Sequence, residues 1–205
     1  ACLSFHETKN VGCGEGGMLL INDPKFEERS DYILEKGTNR HQFFQGKVDK
    51  YTWVDVGSSY VMSDILAAVL YGQLMRYDIL IRERQKAYNY YQELLGPYSE
   101  LGYFKLPYIP DYNSPNYHIY YLILENKAIR DGLMLYLNEK GIKAYFHFIP
   151  LHSSPMGRRV GKVSGSMIQT DFISQSILRL PLYSGLTKEM QEEIVGEIVS
   201  YLNIK

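Results

Sequence analysis

Residues 12–17 read GCGEGG, and Gly12, Gly14 and Gly17 satisfy the G-x-G-x-x-G spacing of a dinucleotide-binding turn. Their flanks decide what they build. A dinucleotide turn requires a strand before the glycines and a helix after them, so that a pyrophosphate meets a helix N-terminus. Here residues 1–5 are small or apolar and read as the end of a buried strand, while residues 18–21 form a short apolar run closed by the turn signal Asn22-Asp23-Pro24. A strand on both sides makes the glycines a strand-to-strand connection and rules out the nicotinamide reading. No G-x-x-x-x-G-K-[ST] motif is present either.

Lys9 lies on that connection, inside SFHETKN at residues 4–10. Connections carry function more often than the scaffold they join. A lysine amine, with a reference pKa of about 10.4, is a poor nucleophile at neutral pH, so a catalytic one is desolvated or held in a carbonyl adduct. The spacing alone equally permits a solvated lysine at a strand end.

The wider composition is that of an ordinary globular chain: 45% hydrophobic, 22% charged and a net charge of -1 over 205 residues. That balance offers no electrostatic case for nucleic acid or an anionic membrane as partner. No apolar run approaches the ~20 residues of a membrane span. The two cysteines, Cys2 and Cys13, are too few for a disulfide framework or a metal site and read as packing thiols of a reducing, cytoplasmic compartment. His147 and His152 flank Phe148-Ile149-Pro150-Leu151 with no third ligand cluster nearby, so no metal site is assigned.

Periodicity predicts a helix over 24–36 stopped by Gly37, and a long helix over 64–95 capped by Ser63 and ended at Gly96-Pro97. The first turns of that helix, residues 65–70, are apolar all round and read as buried. A shift to Tyr, Pro and Asn then places a domain boundary near residue 97. Beyond it the pattern gives a tyrosine-rich strand over 117–125, a helix after Asn126 ending at Gly141, a half-buried strand over 142–148, and a last helix capped by Thr187. Residues 36–53 mix Lys36, Arg40, Lys47 and Lys50 with aromatic side chains, which suits either a nucleotide diphosphate and its base or a solvated loop with aromatic anchors.

SFHETKN followed by GEGG resembles the Schiff-base segment of the DegT/DnrJ/StrS sugar aminotransferases, which use pyridoxal 5'-phosphate (PLP). The stretches GTNRHQFFQGKVDKYTW at 37–53, DVGSSYVMSDILAAVLYGQL at 55–74 and FHFIPLHSSPMG at 146–157 follow in the order expected of that family. They are similar to the branch of dTDP-4-amino-4,6-dideoxygalactose transaminases, which act on dTDP-4-dehydro-6-deoxyglucose. The resemblance implies an α/β, fold-type-I PLP-dependent transferase, with the C-terminal part of the large domain in residues 1–96 and an α/β small domain in 97–205. It implies that Lys9 links PLP, that Ser4 donates to the cofactor phosphate, and that His6 and Asn10 line the cofactor pocket. Ser59 stands where many relatives place an Asn that reaches the phosphate of the neighbouring subunit, and Val61 where they place an Arg.

Arg40, Tyr145 and His147 are the candidate contacts to substrate. The implied partners are a nucleotide sugar and L-glutamate as amino donor, in a homodimer with shared active sites that serves surface polysaccharide or lipopolysaccharide biosynthesis. Relatives supply the acid on the pyridine nitrogen from upstream of the lysine, so the chain is expected to be the C-terminal portion of a longer enzyme. Two other readings stay open: a fragment that folds and pairs without activity, and a related PLP enzyme such as a sugar dehydratase. Dehydratase relatives commonly replace the lysine with histidine, and Lys9 speaks against them.

Overall fold

The computed structural model describes residues 1–204. The chain divides into two compact units, Ala1–Tyr77 and Asp78 onward. In the first, strands β1 (Cys2–Ser4) and β2 (Gly17–Leu19) pair antiparallel with Cys2 opposite Leu19 and Ser4 opposite Gly17. Both strands are exposed here, so the apolar run over 1–5 is inward only at Phe5.

The helix expected over 24–36 begins as a 3-10 turn, Pro24–Phe26, with the Asp23 carboxylate accepting from Lys25 N at 3.2 Å. It continues as α1 (Glu27–Leu34). It stops short of Lys36 because Lys36 and Gly37 both take positive φ, 62° and 76°, a conformation that breaks the helical ladder and favours glycine. Gly37 is also required by space: a Cβ there would lie 1.8 Å from the Asp55 carbonyl oxygen. Around this point residues 37–55 close on themselves. Val54 N and Asp55 N both donate to Gly37 O, Thr52 N donates to Asn39 Oδ1 at 2.7 Å, and the short helix α2 (Arg40–Phe44) sits inside the closure.

The long helix expected over 64–95 is two helices. Ser63 Oγ caps α3 (Asp64–Leu74) through Leu66 N, and after Met75 and Arg76 the chain restarts as α4 (Tyr77–Glu100). Good helix formers occupy the break, so propensity does not mark it. Of the apolar first turns only Leu70 is buried, and Ile65 is 77% exposed. Helix α4 also runs through Pro97 instead of stopping there. In the last turn proline removes a single hydrogen bond, the packed Leu95 and Tyr98 hold the turn in place, and Gly102, at φ 87°, ends it.

The second unit continues with β3 (Tyr120–Ile123), α5 (Lys127–Glu139), β4 (Tyr145–Phe146), α6 (Pro155–Val160), α7 (Ile168–Ser176), β5 (Ile177–Leu180) and α8 (Lys188–Tyr201). Asn126 and Thr187 cap α5 and α8 as their sequence positions predict, accepting from Ile129 N and Met190 N. The sheet order is β3-β5-β4, with both neighbours antiparallel to β5. The expected strand over 142–148 shrinks to two paired residues, because β5 offers β4 only Arg179 and Leu178 as partners; Phe148 is left exposed.

The core of this unit is built from α4, β3, α5, β5 and α8, with Leu95, Tyr120, Leu122, Leu133, Leu137, Leu178 and Ile198 essentially without solvent exposure. Tyr120 packs between Tyr88 and Tyr91 at centroid distances of 5.0 and 4.8 Å. Its hydroxyl is buried with no partner, whereas Tyr91 donates to Pro181 O at 3.1 Å. Burial pushes both phenols well above their ordinary pKa.

These two kinds of buried residue separate in mutagenesis. Leu137→Ala leaves a cavity and is expected to cost about 2–5 kcal/mol in denaturant unfolding. Tyr120→Phe removes an unsatisfied buried hydroxyl and is expected to be neutral or to stabilise by about 1 kcal/mol. A loss of more than ~1 kcal/mol for Tyr120→Phe would mean that its hydroxyl has a partner.

Candidate functional site

The connection between β1 and β2 is a braced loop. Beyond the strands the ladder continues through Phe5 N to Gly16 O at 2.8 Å, Cys13 N to Phe5 O at 2.9 Å and Glu7 N to Gly14 O at 2.9 Å. Phe5, Val11 and Cys13 are buried beneath it, so the apolar residues of the motif anchor the loop while its polar residues face out. Gly12 lies so near the return strand that a Cβ there would meet His6 O at 2.8 Å. Cys13 and Cys2 are free thiols, the first buried and the second exposed.

Lys9 stands in the turn at the far end of this loop, exposed, its backbone N–H donating to His6 O at 2.9 Å. Among the described residues, no carboxylate pairs with its amine. His6 organises the turn: Thr8 N donates to Nδ1 at 3.2 Å, and Thr8 Oγ1 lies 3.0 Å from the same atom. An accepting Nδ1 places the proton of the neutral ring on Nε2, which faces Glu15 Oε1 at 3.6 Å. Ser4 ends β1 and is exposed; Asn10 is half-buried beside Lys9. Ser4, His6, Lys9 and Asn10 therefore share one loop of fixed backbone.

Ser59 is held elsewhere in the same unit, bridged to Glu35, with Tyr60 N donating to Leu34 O and Lys36 N to Ser58 O. Its neighbour Met62 reaches the loop, since a Cβ on Gly16 would fall 2.5 Å from Met62 Cε. Arg40 begins α2 with its guanidinium already engaged: Nη1 lies 3.2 Å from Glu35 Oε2, and Cζ sits 5.1 Å over the Phe44 ring. Phe43 makes edge contacts with Phe44 and Tyr51, yet Phe44 and Trp53 remain largely exposed. The basic, aromatic segment is an ordered closed loop whose aromatic side chains face outward.

In the second unit Tyr145 is exposed on β4, in register with Arg179 of β5. His147 follows on the same chain, half-buried. Burial, then the Arg179 charge, pull its pKa below the ordinary value. His147 and His152 line one cavity, and His152 Nε2 lies 2.9 Å from Asp171 Oδ1. Among the described residues no group of three or more His, Cys, Asp or Glu side chains is placed to hold a metal ion, and no helix is long and apolar enough to cross a membrane. Sequence reasoning missed Arg130 and Arg179, which stand near His147. The available sign was Arg130 itself, a charge three residues before Leu133 on the inward stripe of α5.

Lys9 is thus presented from a glycine-braced hairpin loop in a chain of mixed α/β structure. This chain belongs to the DegT/DnrJ/EryC1/StrS aminotransferase family, whose sequence model matches residues 1–199. It is 27% identical to a pleiotropic regulatory protein of Geobacillus stearothermophilus over 203 residues, covering 98% of this chain and 51% of the relative. The crystal structure of a family aminotransferase from Brucella abortus matches with a TM-score of 0.81 at 26% identity, over 98% of this chain and 50% of that one. The aminotransferase TlmJ from Streptoalloteichus hindustanus matches with a TM-score of 0.83 at 24% identity, over 98% and 51%. The chain thus has the α/β fold of these enzymes and spans about half the length of the relatives it matches.

Proposed function

We propose that this chain carries the lysine-bearing part of a PLP-dependent transaminase of nucleotide-linked 4-keto-6-deoxy sugars, with dTDP-4-dehydro-6-deoxyglucose as the sugar substrate and L-glutamate as amino donor. The observation that carries this reading is Lys9 presented from a braced loop, on a chain of an aminotransferase family. Substrate, donor and a role in cell-surface polysaccharide synthesis rest on the motif resemblance over residues 37–74 and 146–157.

The residues present fit the cofactor. Lys9 offers an amine that no carboxylate among the described residues pairs with, Ser4 a hydroxyl at a strand end, and His6 an Nε2–H fixed by Thr8. When bound, PLP supplies an electron sink for the carbon that exchanges its amino group. Lys9 would hold the cofactor through its Nζ, be released by the incoming amino donor, and then serve as the base that carries a proton from the substrate carbon. Ser4 would donate to the phosphate, with His6 and Asn10 lining the pocket. Ser59, able to donate one hydrogen bond, is the proposed phosphate contact across a homodimer. Arg40 is the proposed grip on the nucleotide diphosphate; its exposed pair with Glu35 is of the kind worth only about 0–1 kcal/mol, so a doubly charged ligand can displace it. Tyr145 and His147 are proposed to meet the sugar.

Three outcomes are expected of the intact protein. Lys9→Ala abolishes amino transfer and the covalent retention of PLP after borohydride treatment, while the unfolding midpoint stays within error of wild type, since an exposed side chain contributes little stability. Covalent retention in that variant would exclude Lys9.

Arg40→Ala raises KM for the nucleotide sugar roughly ten- to a hundredfold and leaves that for glutamate nearly unchanged, as a lost charge-assisted phosphate contact is worth about 1.5–3 kcal/mol. Equal effects on both substrates would assign Arg40 to the cofactor or to the donor carboxylate.

The outward aromatic side chains of residues 43–53 are the proposed centre of the dimer contact. Trp53→Asp should therefore shift sedimentation toward the monomer and lower activity together; an active monomer would refute a shared site.

A further inference from the structure

Helix α5 buries a charge among its apolar contacts. Leu133 and Leu137 are fully covered, and Arg130, on the same inward stripe, is only 6% exposed. A guanidinium stays protonated in a protein, so once out of water it needs acceptors. Arg130 has one beside it, Asp131 Oδ1 at 2.6 Å from Nε in an ion pair, while its buried Nη1 makes no hydrogen bond. The same carboxylate is shared with Lys127, and the Arg130 guanidinium carbon also stands 5.7 Å over the Phe146 ring. The shared carboxylate offsets part of the charge penalty of Arg130 and leaves Nη1 unpartnered.

Arg130 lines a cavity of about 850 Å3 that lies wholly within the second unit, a size at which metabolites are held. His147 lines it too, and its buried Nδ1 is likewise without a partner. The lowered pKa of this ring keeps it neutral near pH 7, with one N–H to give. Lys127 and Arg158 add two cations to the wall. The wall's two carboxylates are engaged, Asp131 with Lys127 and Asp171 with His152 at 2.9 Å. The first turn of the 13-residue helix α5 also forms part of the wall, and helix N-termini favour negative charge.

We propose that this cavity binds a small-molecule oxyanion, a carboxylate or a phosphate group, with Arg130 as its charge partner and His147 as a second donor. Binding here needs neither the cofactor nor turnover. The proposal adds a ligand chemistry to the sugar contact suggested for His147, and it stands on the second unit alone.

Isothermal titration of the intact protein at low salt, with L-glutamate and separately with inorganic phosphate, tests it. Saturable binding of at least one anion at one per chain is expected, weakened about tenfold or more by Arg130→Gln and by His147→Phe, as for loss of a charge-assisted or buried hydrogen bond. Lys127→Ala, at the open rim, is expected to weaken it about two- to threefold in a salt-dependent way. A glutamate isotherm that His147→Phe and Arg130→Gln weaken identifies a carboxylate ligand of this cavity, a phosphate isotherm so weakened identifies a phosphate, and binding indifferent to both variants belongs to the Lys9 site and counts against the proposal. Should Arg130→Gln fail to fold, His147→Phe carries the test by itself. Absence of saturable heat for both anions, or variants that bind like wild type, would overturn the proposal. Because the titration is read without amino transfer, its failure leaves the transaminase reading standing, and a silent transaminase leaves this site standing.

Discussion

The second unit depends on β5. Among the described residues Ile177–Leu180 is the last strand and the central one in its sheet, so β4 has no strand to pair with, and β3 only a single bridge from Ile123 to Lys105, until residues near 180 arrive. Tyr120, Leu122 and Leu178 turn one sheet face into a wholly buried layer against α4, α5 and α8. Such a closure is non-local and carries a loop-closure cost before its contacts form. It explains why the apolar content of α5 and α8 is so regular: both must cover a strand pair that no local turn creates. The same register sets Arg179 between Tyr121 and Tyr145 on adjacent strands, which brings a cation beside His147.

The first unit solves a different problem. Its hairpin has no buried strand face, and it keeps its shape through backbone geometry at Gly12 and Gly16 and the small cluster of Phe5, Val11 and Cys13. Gly12 permits backbone to approach backbone at His6 O, and Gly16 leaves room for the side chains of Met62 and Cys13. The loop can then hold Ser4, His6 and Lys9 in fixed sequence without burying any of them.

Much of this was legible in local chemistry. The strand-glycine-strand reading of residues 1–21, the caps at Ser63, Asn126 and Thr187, and the amphipathic stripes of α5 and α8 each rest on signals a few residues long, and each is present. What escaped has a common cause. Helix α7 and strand β5 run on with no turn residue between Ser176 and Ile177, so no punctuation separates them. The break at Met75–Arg76 lies among good helix formers, and the passage of α4 through Pro97 is decided by the packing of Leu95 and Tyr98, against the local rule. The length of β4 is set by what β5 offers it, a fact about another strand. Among site residues, those on the hairpin could be named from the motif, whereas Arg130 could not, because its meaning lies in what fails to surround it.

Lys9 and Arg130 show how the chemistry of a cation dictates its setting. An amine must lose its proton to react, and water opposes that by solvating the charged form. On the proposed role, Lys9, exposed at a turn, would take its desolvation from whatever binds against the loop. A guanidinium never loses its proton, so burial cannot activate it; burial only removes competing water and raises the value of an arriving anion. Arg130 is accordingly placed on a rigid helix, its Nε beside Asp131 and its Nη1 unpartnered. On the two proposed roles, a flexible side chain on a braced backbone suits an amine that must release its ligand in every cycle, and a rigid helix suits a guanidinium that must hold a fixed position throughout.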